Sequence, residues 1–451
     1  MKEFDAVIQN ALVVTSKTQY RANLYISDGK FSAITAPETT FPAARSIDAG
    51  GKPVIPGCVD GHSHLMDPGY TDRETFITGT MAAAAGGYTT VTDHHRTIPA
   101  VYSVEPLLEK IEYLKDRAVV DFALMGGLSP DNQKELRAMW DAGVTSFKGF
   151  TCNLHGVQAM HSGYLLDTFR TIASFGGRAL IHAEDNGIIA FEEERMKREG
   201  RKDPMAHFEG RSKLAEEIAV QTVLSLAKST GANVGIAHVS QPHLAEMIRR
   251  VQEEGYPVFS ETEPHYLSMN TEDLKRLGPW LRFTPPVNTP EMQEKLWELF
   301  DKGIFDTMGT DHCPIVKADK EKGLEDVLEA PCGIPGLETA LKLMLTGVNS
   351  GKTTLNRLVA CMCENPAKIY GLYPKKGAIQ VGTDADLVIL DMEKEETLCN
   401  EKVISKCGWT PYAGMTVKGG PDTVMVRGQI VFAEGKVIGK PGWGAFVPRQ
   451  S

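Results

Sequence analysis

Positive charge is in short supply in this chain. Lysine and arginine number 48 against 58 aspartates and glutamates, for a net charge of −10. No segment gathers basic residues into the stripe that phosphate neutralisation requires, which argues against nucleic acid and anionic membrane as partners. Long apolar runs are also missing. The most apolar stretches, 81–85 and 358–363, fall far short of the ~18 residues that span a bilayer. The opening Met1-Lys2-Glu3-Phe4-Asp5 lacks the apolar core of a secretory leader. Cysteine is sparse and unpaired in spacing: the eight lie at 58, 152, 313, 332, 361, 363, 399 and 407, with no Cys-x-x-Cys. A zinc ribbon and a disulfide-stapled fold are thereby excluded. The expectation is a cytoplasmic protein with reduced thiols.

What is present is enough chain for a large core: 451 residues, 42% hydrophobic and 24% charged. The ends read as β structure. Residues 4–14 are rich in β-branched and apolar side chains, and 24–34 holds two apolar runs broken by Asp28-Gly29, a hairpin signal. The tail repeats the pattern, with a turn at 382–386, a strand at 387–391 and a short meander over 424–427, 430–432 and 436–438. Between them, short apolar runs alternate with helical periodicity such as 215–227 and 244–254. Eight runs qualify as strands: 54–59, 89–93, 120–125, 145–150, 178–182, 234–238, 258–261 and 305–308. Eight βα units predict a (β/α)8 barrel over 54–369, within the α/β class. The segments 1–53 and 370–451 are expected to pair into one small β-sandwich domain beside it.

The chemistry-bearing residues fall at the C-terminal ends of these strands, where barrel enzymes place their active sites. His62 and His64 follow the first run, and in extended chain positions i and i+2 face the same side, so both imidazoles can reach one cation. Lys148 lies at the end of the fourth, His182 ends the fifth, His238 the sixth, and Asp311 follows the eighth. Each alone has an ordinary structural reading. Four histidines and an aspartate at the mouths of strands 1, 5, 6 and 8 do not.

These residues resemble the amidohydrolase superfamily, and within it the cyclic amidohydrolases: hydantoinase/dihydropyrimidinase, allantoinase and dihydroorotase. The resemblance runs the length of the chain, through Pro56-Gly57-x-Val59-Asp60-x-His62-x-His64, Phe147-Lys148, Ile181-His182-Ala183-Glu184, Ala237-His238-Val239-Ser240, Pro264-His265-Tyr266 and Thr310-Asp311-His312. It implies two divalent metal ions, commonly zinc. His62, His64 and Asp311 would hold one and His182 and His238 the other. Lys148, carboxylated by CO2 to N6-carboxylysine, would bridge them. It further implies that Asp311 moves the proton from the attacking water to the leaving ring nitrogen, that the substrate is a small cyclic amide, and that the protein is a homotetramer.

The ring is read from departures within the branch. Dihydroorotases carry an Arg two residues after the second histidine; here that position is Met66, with Arg73 or Arg96 as possible substitutes. Hydantoinases usually place a Tyr five residues after the bridging Lys; here it is Asn153, whose amide could donate instead. Allantoinases lack both and resemble this chain at 68–76 and 333–337, although their loop after the second strand is replaced here by Asp93-His94-His95-Arg96-Thr97. Thr284 and Cys332-Gly333 match segments whose backbone reads the cyclic amide. The leading expectation is allantoinase, opening allantoin to allantoate, with hydantoinase/dihydropyrimidinase as the alternative. Behind them stand dihydroorotase, a metal-free scaffold that keeps the fold without the reaction, and hydrolysis of an acyclic N-acyl compound.

Overall fold

The structure is a computed structural model and describes residues 3–450. Its larger part is a parallel barrel. Cys58–Ser63, Tyr88–Asp93 and Asp121–Leu124 pair in order. Gly126–Gly127 continues the third strand and passes the pairing to Phe147–Phe150. Arg178–His182, Asn233–Ile236, Val258–Thr262 and Thr307–Met308 follow, each parallel to its neighbour. The expected helices are present as Lys213–Thr230 and Pro242–Glu253. The first buries Ala215, Ala219, Val220, Val223, Leu224 and Ala227 along one stripe and stops at Gly231, whose φ of 69° is the left-handed cap that glycine takes without strain.

The circle closes where the first strand meets the segment after the last. Ser63 bridges His312 in parallel, and His64 N–H donates to His312 O at 2.7 Å. Buried Asp60 reinforces this seam: its carboxylate accepts from Thr310 N–H (3.1 Å) and Thr310 Oγ1 (2.6 Å). His62 and Asp311 are thereby brought side by side from distant parts of the chain.

The terminal segments form a separate nine-stranded sheet. Its order is Lys436–Val437, Gln429–Ala433, Thr416–Val426, Leu387–Thr397, Pro53–Pro56, Ala6–Val14, Gln19–Ser27 and Lys30–Thr35, with Ser46–Asp48 also paired to Ala6–Val14. The single strand expected at 54–59 is thus two. Pro53–Pro56 belongs to the terminal sheet, and the barrel strand begins at Cys58. Apolar periodicity could not mark this crossing, because both strands are buried on both faces. Gly57 makes the passage, and a Cβ there would fall 2.0 Å from Thr89 Oγ1.

Side-chain alternation explains how the sheet docks. Val13, Val54, Leu387, Ile389 and Met425 fill the sheet's own core. Their neighbours Val14, Ile55, Val388, Leu390, Val424 and Val426 point the other way and join the barrel core. One set of strands therefore serves two cores.

A charged network spans the same junction. Lys376 Nζ, fully buried, contacts the carboxylates of Asp121, Asp384 (2.9 Å) and Asp386 (2.8 Å), and Arg427 Nε lies 3.1 Å from Asp121. Burial opposes the Lys376 charge, but the three aspartates outweigh it and hold the ammonium above its ordinary range. Lys376→Met would leave Asp384 and Asp386 buried without a cation and Asp121 with Arg427 alone. It is expected to cost about 3–5 kcal/mol of unfolding free energy at pH 7. The unpaired carboxylates would bind protons more readily folded than unfolded, so the loss should shrink as pH falls from 7 to 5. Urea denaturation of both proteins at the two pH values checks this.

Candidate metal centre

The strand ends aim six donor residues into one cavity: His62, His64, Lys148, His182, His238 and Asp311 all line it. Alternation places the first pair. His62 and His64 rings sit 5.6 Å apart, while Ser63 between them turns away and donates to Thr92 O (3.0 Å). Two of the others depend on unusual backbone. His238 and Asp311 have φ of 40° and 41°, a left-handed conformation costly for residues with a Cβ and characteristic of functional sites.

Neighbouring carboxylates orient the imidazoles. Glu261 Oε1 lies 2.8 Å from His62 Nδ1, which leaves His62 Nε2 facing Lys148 Nζ (3.1 Å) and Asp311 Oδ1 (3.3 Å). His64 Nε2 is 3.0 Å from the same Asp311 oxygen. Glu184 Oε2 lies 2.7 Å from His182 Nε2, freeing His182 Nδ1 as the ligand atom. Glu184 is itself held by Arg211 (2.8 Å) and by the Thr284 hydroxyl (2.6 Å). A carboxylate behind each imidazole is the usual support of a metal-binding histidine.

The protonation states suit cation binding. Burial pushes His64 down to about 3 and His238 well below its ordinary value, so both rings are neutral. Burial also brings Lys148 down to about 8, against the pull of Asp311, Glu261 and Glu263. For Asp311, burial favours the acid, but His62 and the His64 hydrogen bond outweigh it and hold the carboxyl well below its usual range. Buried His238 Nδ1 has no hydrogen-bond partner among the described residues, as expected of an atom free to bind a cation. Imidazoles with one carboxylate form a nitrogen and oxygen donor set that fits divalent cations.

The chain matches the amidohydrolase family over residues 54–431. It belongs to that family. Amidohydrolases generally use a binuclear metal centre, and this cavity holds the residue types for one. An L-hydantoinase of Paenarthrobacter aurescens is 40% identical over 452 residues, covering 99% of both chains. An allantoinase of Deinococcus radiodurans is 33% identical over 450 residues, also 99% of both. The solved structure of an L-hydantoinase (dihydropyrimidinase) from Arthrobacter aurescens superposes with a TM-score of 0.97 at 40% identity, covering 99% of this chain and 100% of that one. The similarity favours the hydantoinases over allantoinase.

This amidohydrolase departs from its sequence reading around the ring site. Asn153, expected to replace the hydantoinase tyrosine, is exposed; its amide oxygen accepts from Ala159 N–H (2.8 Å), and it does not line the cavity. The loop instead turns Leu154 and His155 inward, with His155 at φ 54°. Met66 is buried at φ 64° and is not among the cavity-lining residues. Thr284, Cys332 and Gly333 do line the cavity. The Thr284 hydroxyl is committed to Glu184, and the Gly333 N–H already donates to Arg282 O (3.0 Å). His94 and His95 are buried in a stack, His94 4.0 Å from the His64 ring and 4.3 Å from His95.

Glu261, Glu184 and His155 carry roles that sequence reasoning did not assign. The first two had a signal: a carboxylate at the end of the seventh strand, and one at i+2 from His182. Glu261→Gln is expected to weaken divalent-cation binding about 10–100-fold, because the charged acceptor that fixes the His62 ring becomes a neutral amide. The chelator concentration that strips metal from each protein measures it.

Proposed function

We propose that this protein is a hydantoinase, a metal-dependent cyclic amidohydrolase that opens a five-membered cyclic ureide to an N-carbamoyl amino acid. The observation that carries the reading is the complete donor set at one cavity, in a chain 40% identical end to end to an L-hydantoinase. Phe150, Leu154 and Phe283 on the same cavity supply an apolar wall for the ring and the first carbons of a substituent. This replaces allantoin as the leading substrate.

His62, His64 and Asp311 would hold one cation, His182 and His238 the other, and Lys148 would bridge them as a carbamate. The lowered Lys148 ammonium favours that modification, since only the neutral amine adds to CO2. When bound, two divalent cations supply Lewis acidity towards a carbonyl oxygen and activate water at neutral pH. Zinc suits the donor set. Asp311, ionised at rest, accepts the proton of the attacking water and returns it to the departing ring nitrogen, as amide cleavage requires. Glu261 and Glu184 hold the imidazoles through this cycle. Thr284 and Cys332 line the cavity, and their backbone groups would read the ring amide. The expectations of a homotetramer and a cytoplasmic location go with this reading.

The test is ring opening by zinc-loaded protein, with metal counted on the same sample. Hydantoin and 5-substituted hydantoins should turn over, and allantoin should lag by tenfold or more. Allantoin as the preferred ring would overturn the assignment. Lys148→Ala should lose at least one metal and about 10³-fold or more in kcat; Asp311→Asn should lose a similar factor. Two metals and full activity in Lys148→Ala would remove the bridging role.

A further inference from the structure

Two loop segments, 282–286 and 331–333, bring Phe283, Thr284, Cys332 and Gly333 to the wall of the metal cavity. The first is held by its carbonyls. Arg282 O accepts from Gly333 N–H (3.0 Å) and from Lys320 Nζ (2.8 Å). Phe283 O lies 2.7 Å from His207 Nε2, Pro285 O accepts from the Tyr266 hydroxyl (2.9 Å), and Pro286 O accepts from Lys213 Nζ (2.8 Å). The exception is Thr284 O, which has no hydrogen-bond donor among the described residues. In the second segment Pro331 O accepts from Lys320 Nζ (3.0 Å), whereas the next N–H, that of Cys332, has no acceptor among the described residues. One uncommitted acceptor and one uncommitted donor therefore belong to cavity-lining residues, each flanked by backbone groups that are already engaged.

Lys320 joins the two segments. Its ammonium donates to Arg282 O, two residues before Thr284, and to Pro331 O, one residue before Cys332. The side chain is 0% exposed and forms no ion pair among the described residues. Its Nζ lies 5.6 Å from the centre of the Trp409 ring. Burial brings the Lys320 ammonium down to about 7, against the pull of Cys332 and Cys313. Lys213 follows the same plan, with its Nζ donating to Pro286 O and to Ser240 Oγ (3.0 Å).

An ammonium buried without a carboxylate is costly, and an apolar side chain of similar length would fill the same space at lower cost. Methionine, however, cannot donate from one point to two carbonyls on different loops; lysine, with three N–H bonds, can. We propose that Lys320 is a positioning residue for the substrate ring: by tying Arg282 O to Pro331 O it sets the gap between Thr284 O and the Cys332 N–H, so that these two pair with the N–H and C=O of one ring amide. The proposal rests on the hydantoinase reading and adds the group that sets its recognition geometry. A ring amide is cis, so its N–H and C=O point to the same side and need an acceptor and a donor side by side. Hydrogen bonds weaken steeply once length and angle depart from their narrow range, so a shift of one segment past the other loses the pair. The cost of burying Lys320 is then offset by a function that packing alone does not require.

The probes are hydantoin, 1-methylhydantoin and 3-methylhydantoin, because each methyl group removes one ring N–H. Initial-rate competition against 5-phenylhydantoin on the zinc-loaded protein gives a binding constant for each, and ratios are compared within each protein so that a general loss of competence cancels. In the wild type at least one methylated ring should bind about tenfold or more weaker than hydantoin, since Thr284 O is left unpaired. In Lys320→Met hydantoin should weaken about tenfold, the methyl penalty should shrink to within about threefold, and zinc content should stay at the wild-type value. If Lys320→Met does not fold, Lys320→Gln, which keeps a donor but is too short to span both carbonyls, is read the same way. A methyl penalty unchanged in the variant overturns the proposal, as does its absence in the wild type. Equal weakening of all three rings, or loss of zinc, would make Lys320 a purely structural residue and overturn it too. Should the wild type open no ring, the hydantoinase reading falls, and calorimetric Kd values for the same three compounds still judge Lys320.

Discussion

The centre depends on the meeting of the first barrel strand with the segment that follows the last. His62 and His64 come from one side of that seam and Asp311 from the other. Asp60 holds the two together through Thr310, and Ser63 and His64 pair with His312 along the backbone. A buried carboxylate is expensive unless every lone pair finds a donor, and Asp60 finds them on Thr310 and on the His62 N–H (3.2 Å). Closing the barrel and assembling the donors are one event.

The same accounting of buried charge organises the rest of the molecule. Glu261 and Glu184 are tolerated because imidazoles, Arg211 and Thr284 surround them. Lys376 is tolerated because three aspartates converge on it, and so the terminal sheet and the barrel cannot separate without stranding charge. The Arg96 guanidinium differs: its buried Nη1 finds no hydrogen-bond partner among the described residues.

Much of the architecture was legible in the order of residues. Eight apolar runs with helices between them indicated the barrel, and the His-x-His spacing placed two imidazoles on one side of a strand. The reading failed where local pattern carries no information. In 54–63 a fully buried run hides a crossing between sheets, since neither face alternates. In the loop after the fourth strand, nothing periodic distinguishes Asn153 from His155; a left-handed φ at His155 decides which of them faces the cavity.

The sequence by itself determined the fold class and the family resemblance, and it singled out the candidate donor residues. These follow from short-range spacing, from alternation along strands and from residue types whose chemistry is the same in any surroundings. Only the tertiary structure decided which carboxylates orient the imidazoles, which loop residue enters the cavity and which cations lack a partner. Those outcomes turn on contacts between residues hundreds of positions apart, such as Glu261 with His62 or Asp60 with Thr310. They turn also on burial, which makes an unpaired charge costly and exists only once the chain has closed on itself.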